Sequence, residues 1–173
     1  MRSDLQIWLQ FLQEYNGAMV ITDNEWISNE KLQLYIDSAA WSKRVYGMYF
    51  AGRWGHGIWP KSWVDTGMTR DMTFLELFPV IAALMTWDTH LKDKKVLFHV
   101  HNQAAVKIIN MKTSRSDKVM NLVRHMVLMN LKNNTTVRTV YIPFKLSNIA
   151  DCLSRSQWGK FRELVPEAHQ WTT

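Results

Sequence analysis

The chain has 173 residues, 47% of them hydrophobic and nine of them tryptophan, which is enough to bury a core and too apolar for a disordered segment. Its single cysteine, Cys152, excludes an internal disulfide framework and a cysteine-rich zinc site, and it fits a reducing setting. A net charge of +6 is compatible with an acidic polymer as partner, although charge alone carries little weight. The longest apolar run, Leu77–Met85, is far short of a membrane span, and Asp4 with the glutamines near it interrupts any signal-peptide core. An intracellular location, cytoplasmic or nuclear and without membrane contact, is the expectation.

Residues 3–15 place Leu5, Trp8, Leu9 and Leu12 at helical spacing, with Ser3 as cap, and Asn16-Gly17 ends that helix. Ala18–Thr22 reads as a short strand and Asp23–Glu30 as a polar connection, so residues 1–30 form an arm. Residues 31–165 form the domain proper and 166–173 a tail. Three strands are predicted as an antiparallel meander: Leu32–Ser38, Val45–Gly52 and Gly57–Trp63, the last confined to an edge by Pro60. Glycines at 47, 52, 55 and 57 mark bends or close backbone approach.

Met72–His90 carries a helical apolar stripe, with Thr73 and Glu76 at capping-box spacing and Pro79 inside the pattern. Val96–His101 is apolar enough for a strand buried on both faces. Helices are predicted at Asn102–Asn110 and Asp117–Asn133, with a basic, serine-rich loop between them. A strand at Thr136–Ile142 and helices at Ser147–Ser154 and Trp158–Leu164 complete an α/β pattern, a mixed sheet with helices on its faces.

Three acids stand at distinctive points: Asp37 in the first meander strand, Glu76 early in the first long helix, and Asp151 in the helix Ser147–Ser154. An aspartate after an apolar run is also an ordinary way to start a turn. Carboxylates from separate elements meeting at one sheet end would instead supply the hard oxygen ligands of two-metal hydrolysis, with the ions about 3.5–4 Å apart. The tryptophan-rich run Trp54–Trp59 could stack on bases, but packing along a sheet edge is the stronger reading.

The segments LYIDSA, FLELFPVIAAL, VLFHVHNQAAVKIIN, VRTVYIPFKLSNIADCLSR and SQWGKFRELVP resemble the RNase H domain of reverse transcriptases. The resemblance is greatest to DIRS-type (tyrosine-recombinase) retrotransposon polyproteins, and the arm SDLQIWLQFLQEYNG is similar to the segment joining polymerase to RNase H there. It implies an RNase H-like fold, a five-stranded mixed sheet with helices on both faces. It implies two Mg²⁺ ions (or Mn²⁺), hydrolysis of the RNA strand of RNA–DNA hybrids, and the polymerase domain of the same polyprotein as partner. The implied metal-binding acids are Asp37, Glu76 and Asp151, with a fourth position at 101.

Two departures from the family stand out. His101 replaces the aspartate of a D-N-Q motif, leaving His101-Asn102-Gln103, and residues 144–147 lack the histidine that cellular RNase H enzymes place there. A neutral imidazole removes charge and suits Mg²⁺ poorly. The expectation is therefore an impaired catalytic set of Asp37, Glu76, Asp151 and His101. A histidine ligand retuned for Mn²⁺ or Zn²⁺, or compensation by Asp71, are the other readings of the same substitution. Asn102, Gln103, Lys107, Lys112, Arg115 and Lys118 flank this point and are the expected nucleic-acid contacts, though a merely solvated basic loop reads similarly. The runner-up function is a catalytically inactive RNase H-like module that binds hybrid or supports the polymerase. An integrase-type transposase fits less well, because its last acid would be a glutamate where this chain has Asp151.

Overall fold

The computed structural model describes residues 2–14, 25–28, 31–39, 45–100, 102–141 and 148–170. The strand expected at Ala18–Thr22 lies outside them. The chain begins with helix α1 (Arg2–Glu14), which packs along α6 (Asp117–Lys132). Arg124 of α6 donates from Nε to Asp4 at 2.9 Å, and that bond holds the Asp4 carboxyl down at about 2.

The strands that follow form two sheets. One is all parallel, in the order β1 (Ile27–Ser28), β5 (Lys95–Val100), β6 (Thr136–Tyr141). The other runs β2 (Leu34–Ala39), β3 (Val45–Phe50), β4 (Arg53–Ile58), β7 (His169–Gln170), antiparallel except for the β4–β7 pair. The antiparallel meander is present, with its third strand starting earlier than predicted. Ala51 (φ 45°) and Gly52 (φ 86°) turn β3 into β4, and two left-handed residues in a two-residue loop match the twist of a tight hairpin. Past β4, Pro60 caps the short helix α2 (Lys61–Asp65), so residues expected in the edge strand are helical.

The single five-stranded sheet is not what the described residues form. An RNase H-like sheet would set Leu32–Ser38 in parallel beside Val96–His101; instead Ile27–Ser28 pairs with Val96 and Leu97, and β2 pairs with β3. A turn at 31–33 causes the split. The Leu32 amide donates to Ser28 O at 3.1 Å, and Gln33 takes a left-handed φ of 51°, so the chain steps from one sheet to the other. Arm and tail thus each supply a strand, β1 and β7.

Helix α3 (Met72–Thr86) joins the sheets. Leu34, Met48 and Phe50 from one sheet and Val96, Phe98, Val100 and Val137 from the other meet Phe74, Leu77, Ile81 and Leu84 of α3 in one core. The α3 cap is Asp71, whose carboxylate accepts from the Phe74 amide at 3.1 Å, and not the Thr73–Glu76 pair. Pro79 lies inside the helix and is buried, so its missing N–H leaves one carbonyl of the first turns without a helical donor. The helix predicted to reach His90 stops at Trp87, after which α4 (Asp88–Leu91) adds one turn. β5 alternates between buried and half-covered residues, so the burial on both faces that its apolar run predicts is complete on one face and partial on the face of Lys95, Leu97 and His99.

The opposite face of the β2–β3–β4 sheet is covered by α7 (Asn148–Ser154) and α8 (Trp158–Leu164). Cys152, Leu153 and Phe161 pack there on Tyr49 and Trp54. Trp54 and Trp59 are buried, and Trp59 donates to Ala39 O at 3.2 Å, so the tryptophan-rich run packs the sheet as the bland reading has it. No helix among the described residues is long and apolar enough to cross a membrane.

Candidate active site

Strand alternation puts Asp37 on the same face of β2 as Tyr35, toward α7. Its partner across the ladder is Gly47, which in turn sits opposite His56. The glycine lets α7 lie directly on the sheet. A Cβ at position 47 would run into Leu153 Cβ and stand 2.9 Å from the Ser154 backbone nitrogen. Close approach was one of the two readings of this glycine, and it is the one realised. Gly47→Ala is expected to cost about 1–3 kcal/mol, at the upper end because the obstacles are backbone and a Cβ, as urea unfolding would measure.

That approach brings Ser154 to Asp37. The Ser154 hydroxyl is fully buried and donates to Asp37 Oδ2 at 2.5 Å, with Asp151 O a more distant acceptor at 3.1 Å. One residue on, Arg155 Nε donates to Asp151 Oδ1 at 2.6 Å, an i,i+4 pair on the helix end. The bond to Asp151 raises the affinity of Arg155 for its proton, as do the charge of Asp151 and, further off, the charge of Asp37.

Glu76 enters from α3. Burial pushes its carboxyl up to about 7, and the negative charge of Asp37 adds to the rise. A buried carboxyl whose ionisation is disfavoured by a neighbouring carboxylate is a natural place for a cation. Asp37 and Glu76 therefore fit the donor chemistry of a hard divalent ion. Asp151 is close to this pair through Arg155, but its carboxylate is engaged by the guanidinium. Among the described residues, no three His, Cys, Asp or Glu side chains form a group fit to hold a metal ion. The three acids are brought to one region without being assembled into a ligand cage.

His101 lies outside the described residues. Its sequence neighbours are Val100, the last residue of β5, and Asn102, the N-cap of α5 (Gln103–Met111), whose side chain accepts from the Ala105 amide at 3.0 Å. Asp71, the alternative compensating acid, is occupied as the cap of α3.

Gln103 is exposed at the start of α5, and Lys107, Lys112, Arg115 and Lys118 extend from α5 to the start of α6. Lys112 ends α5 in a left-handed conformation, and partial burial followed by the charge of Arg138 lowers its proton affinity. Arg138, on the outer side of β6, lies 4.8 Å from the Trp26 ring centroid. It belongs with this basic region and does not stand out in the sequence. Its signal is the alternation of Thr136–Tyr141. Ser154 and Arg155 escape a sequence reading as well, although they follow Asp151 at the i+3 and i+4 spacing that puts them on its helix face.

No family model matches the chain, and no curated protein matches it.

Proposed function

We propose that this chain is an RNase H-type domain of a retrotransposon reverse transcriptase, acting on the RNA strand of RNA–DNA hybrids with a weakened cation site. That reading matches β2–β3–β4 and β5–β6 to the five strands of an RNase H-like sheet, and against it stands that β2 and β5, which such a sheet pairs in parallel, are not neighbours among the described residues. The observation that carries the proposal is the meeting of Asp37, Glu76 and the Asp151 helix from three distant parts of the sequence.

Asp37 and Glu76 would hold a divalent ion, Mg²⁺ or Mn²⁺, with Asp151 joining on leaving Arg155. A bound ion would supply an activated water and stabilise the leaving oxygen. The low-dielectric surroundings of Glu76 would strengthen the attraction of its ionised form for a cation. Lys107, Lys112, Arg115 and Lys118, with Asn102 and Gln103 at the α5 start, would track hybrid phosphates. Alanine at all four cationic positions should flatten the log–log salt dependence of hybrid affinity by roughly 0.9 for each phosphate no longer neutralised. An unchanged slope would show that the loop is only solvated.

The Asp151–Arg155 pair favours a second reading, an inactive module that binds hybrid or supports the polymerase of the same polyprotein. A labelled hybrid incubated with the protein in Mg²⁺ and then Mn²⁺, beside Asp37→Asn, separates the two. Slow cleavage abolished by Asp37→Asn supports the nuclease. Binding without cleavage in either metal supports the module, and absence of hybrid binding overturns both.

A further inference from the structure

We infer that Ser154 is the positioning residue of Asp37, and that through this bond the last turn of α7 sets how tightly the acid pair takes up a divalent cation. The inference rests on the cation-site reading given above and adds a residue to it. Ser154 is fully buried, with Asp37 Oδ2 at 2.5 Å and Asp151 O at 3.1 Å. A hydroxyl has one proton, and the closer, anionic acceptor forms the stronger, charge-assisted bond.

The bond depends on how the fold is built. Gly47, the ladder partner of Asp37, has no side chain, and α7 fills the space a Cβ would take, with Leu153 and Ser154 against the strand. The serine is therefore fixed from two sides, by its own helix and by the sheet. A carboxylate whose second oxygen is held by a rigid donor keeps its orientation, and the rotamer entropy of ordering it is lost before an ion arrives. The same helical turn carries Asp151 three residues earlier, so one short segment positions one acid and supplies another.

Calorimetric titration of the whole chain with MgCl₂ and with MnCl₂ tests this, together with the ¹³Cγ signal of Asp37 in cation-free protein. Ser154→Ala and Ser154→Cys, the second filling the volume with a much weaker donor, should each weaken the cation Kd by about tenfold or more and move the Asp37 signal. Ser154→Thr, which keeps the hydroxyl, should restore both. The cysteine variant answers the question if the alanine variant does not fold. Unchanged Kd in the alanine and cysteine variants, with cation uptake by the wild type intact, overturns the inference and leaves the site reading standing. An unmoved Asp37 signal overturns it too. No cation uptake by the wild type overturns the site reading and this inference together.

Discussion

Replacing His101 with aspartate is expected to raise Mg²⁺-dependent cleavage of an RNA–DNA hybrid by about 10–100-fold, the scale on which loss of metal-site groups is felt. The rest of the resembling motif is in place: Asn102 caps α5, Gln103 follows, and Asp37, Glu76 and Asp151 keep their contexts. Against the motif it resembles, the sequence has His101 where an anionic oxygen ligand would stand. In the proposed site three ionised carboxylates would set three negative charges against two dications, and the Arg155 guanidinium offsets the one at Asp151. Repulsion between two ions would then go uncompensated, and the second ion would be the one lost. An added aspartate supplies both the charge and the ligand. Cleavage of labelled hybrid by wild type and His101→Asp, in Mg²⁺ and in Mn²⁺, measures the effect. Robust Mg²⁺ cleavage by the unaltered chain would refute the impaired-site argument. If His101→Asp gains nothing alone but gains in combination with Arg155→Ala, the block lies in the Asp151–Arg155 pair.

The secondary structure was legible wherever a periodic apolar pattern met a clear end signal. Trp158–Leu164 has the predicted bounds, and α6 begins at its predicted residue, where Ser116 caps it, and stops one residue before its predicted end. Boundaries failed where tertiary context outweighed the local signal. Asp71 took the cap of α3 from Thr73, since the chain reaches that helix from the 3₁₀ turn Met68–Arg70 and presents the aspartate first. Ile27–Ser28 looked like polar connection because two residues carry no readable period. It is a strand only because β5 offers an open edge. The same two residues, with the left-handed turn after them, take the edge of β5 that an RNase H-like sheet would give to β2, and no propensity scale reveals that.

For the site, residue types were readable and partnerships were not. Asp37, Glu76 and Asp151 stand out by position in the sequence, and the structure draws them into one electrostatic neighbourhood. That Ser154 and Arg155 engage two of the acids depends on how deeply α7 settles over Gly47, a packing fact. The glycine was visible, but the helix that would use it was more than a hundred residues away.

The energetic consequence of that neighbourhood appears most directly at Glu76, where Glu76→Gln should stabilise the protein at alkaline pH. The Glu76 carboxyl titrates at about 7 in the folded chain against a usual 4.5, raised by burial and then by Asp37. Below the usual value both folded and unfolded chains hold the proton, and the group has no pH-dependent effect on stability. Between the two values the unfolded chain has lost the proton and the folded chain keeps it, so stability falls as pH rises. By about pH 8 the accumulated loss is about 3 kcal/mol, at 1.36 kcal/mol per unit. Glutamine cannot ionise and escapes this loss. Urea unfolding at about pH 4 and about pH 8 should therefore show the variant gaining on the wild type by up to about 3 kcal/mol between the two conditions. A difference independent of pH would mean that Glu76 ionises freely in the folded chain. Mg²⁺ adds a second dimension to the same measurement. An ion between Asp37 and Glu76 favours the ionised pair, so at about pH 8 it should return much of the lost stability to the wild type by preferential binding to the folded state. The Glu76→Gln protein, with one carboxylate fewer, should respond to Mg²⁺ far less.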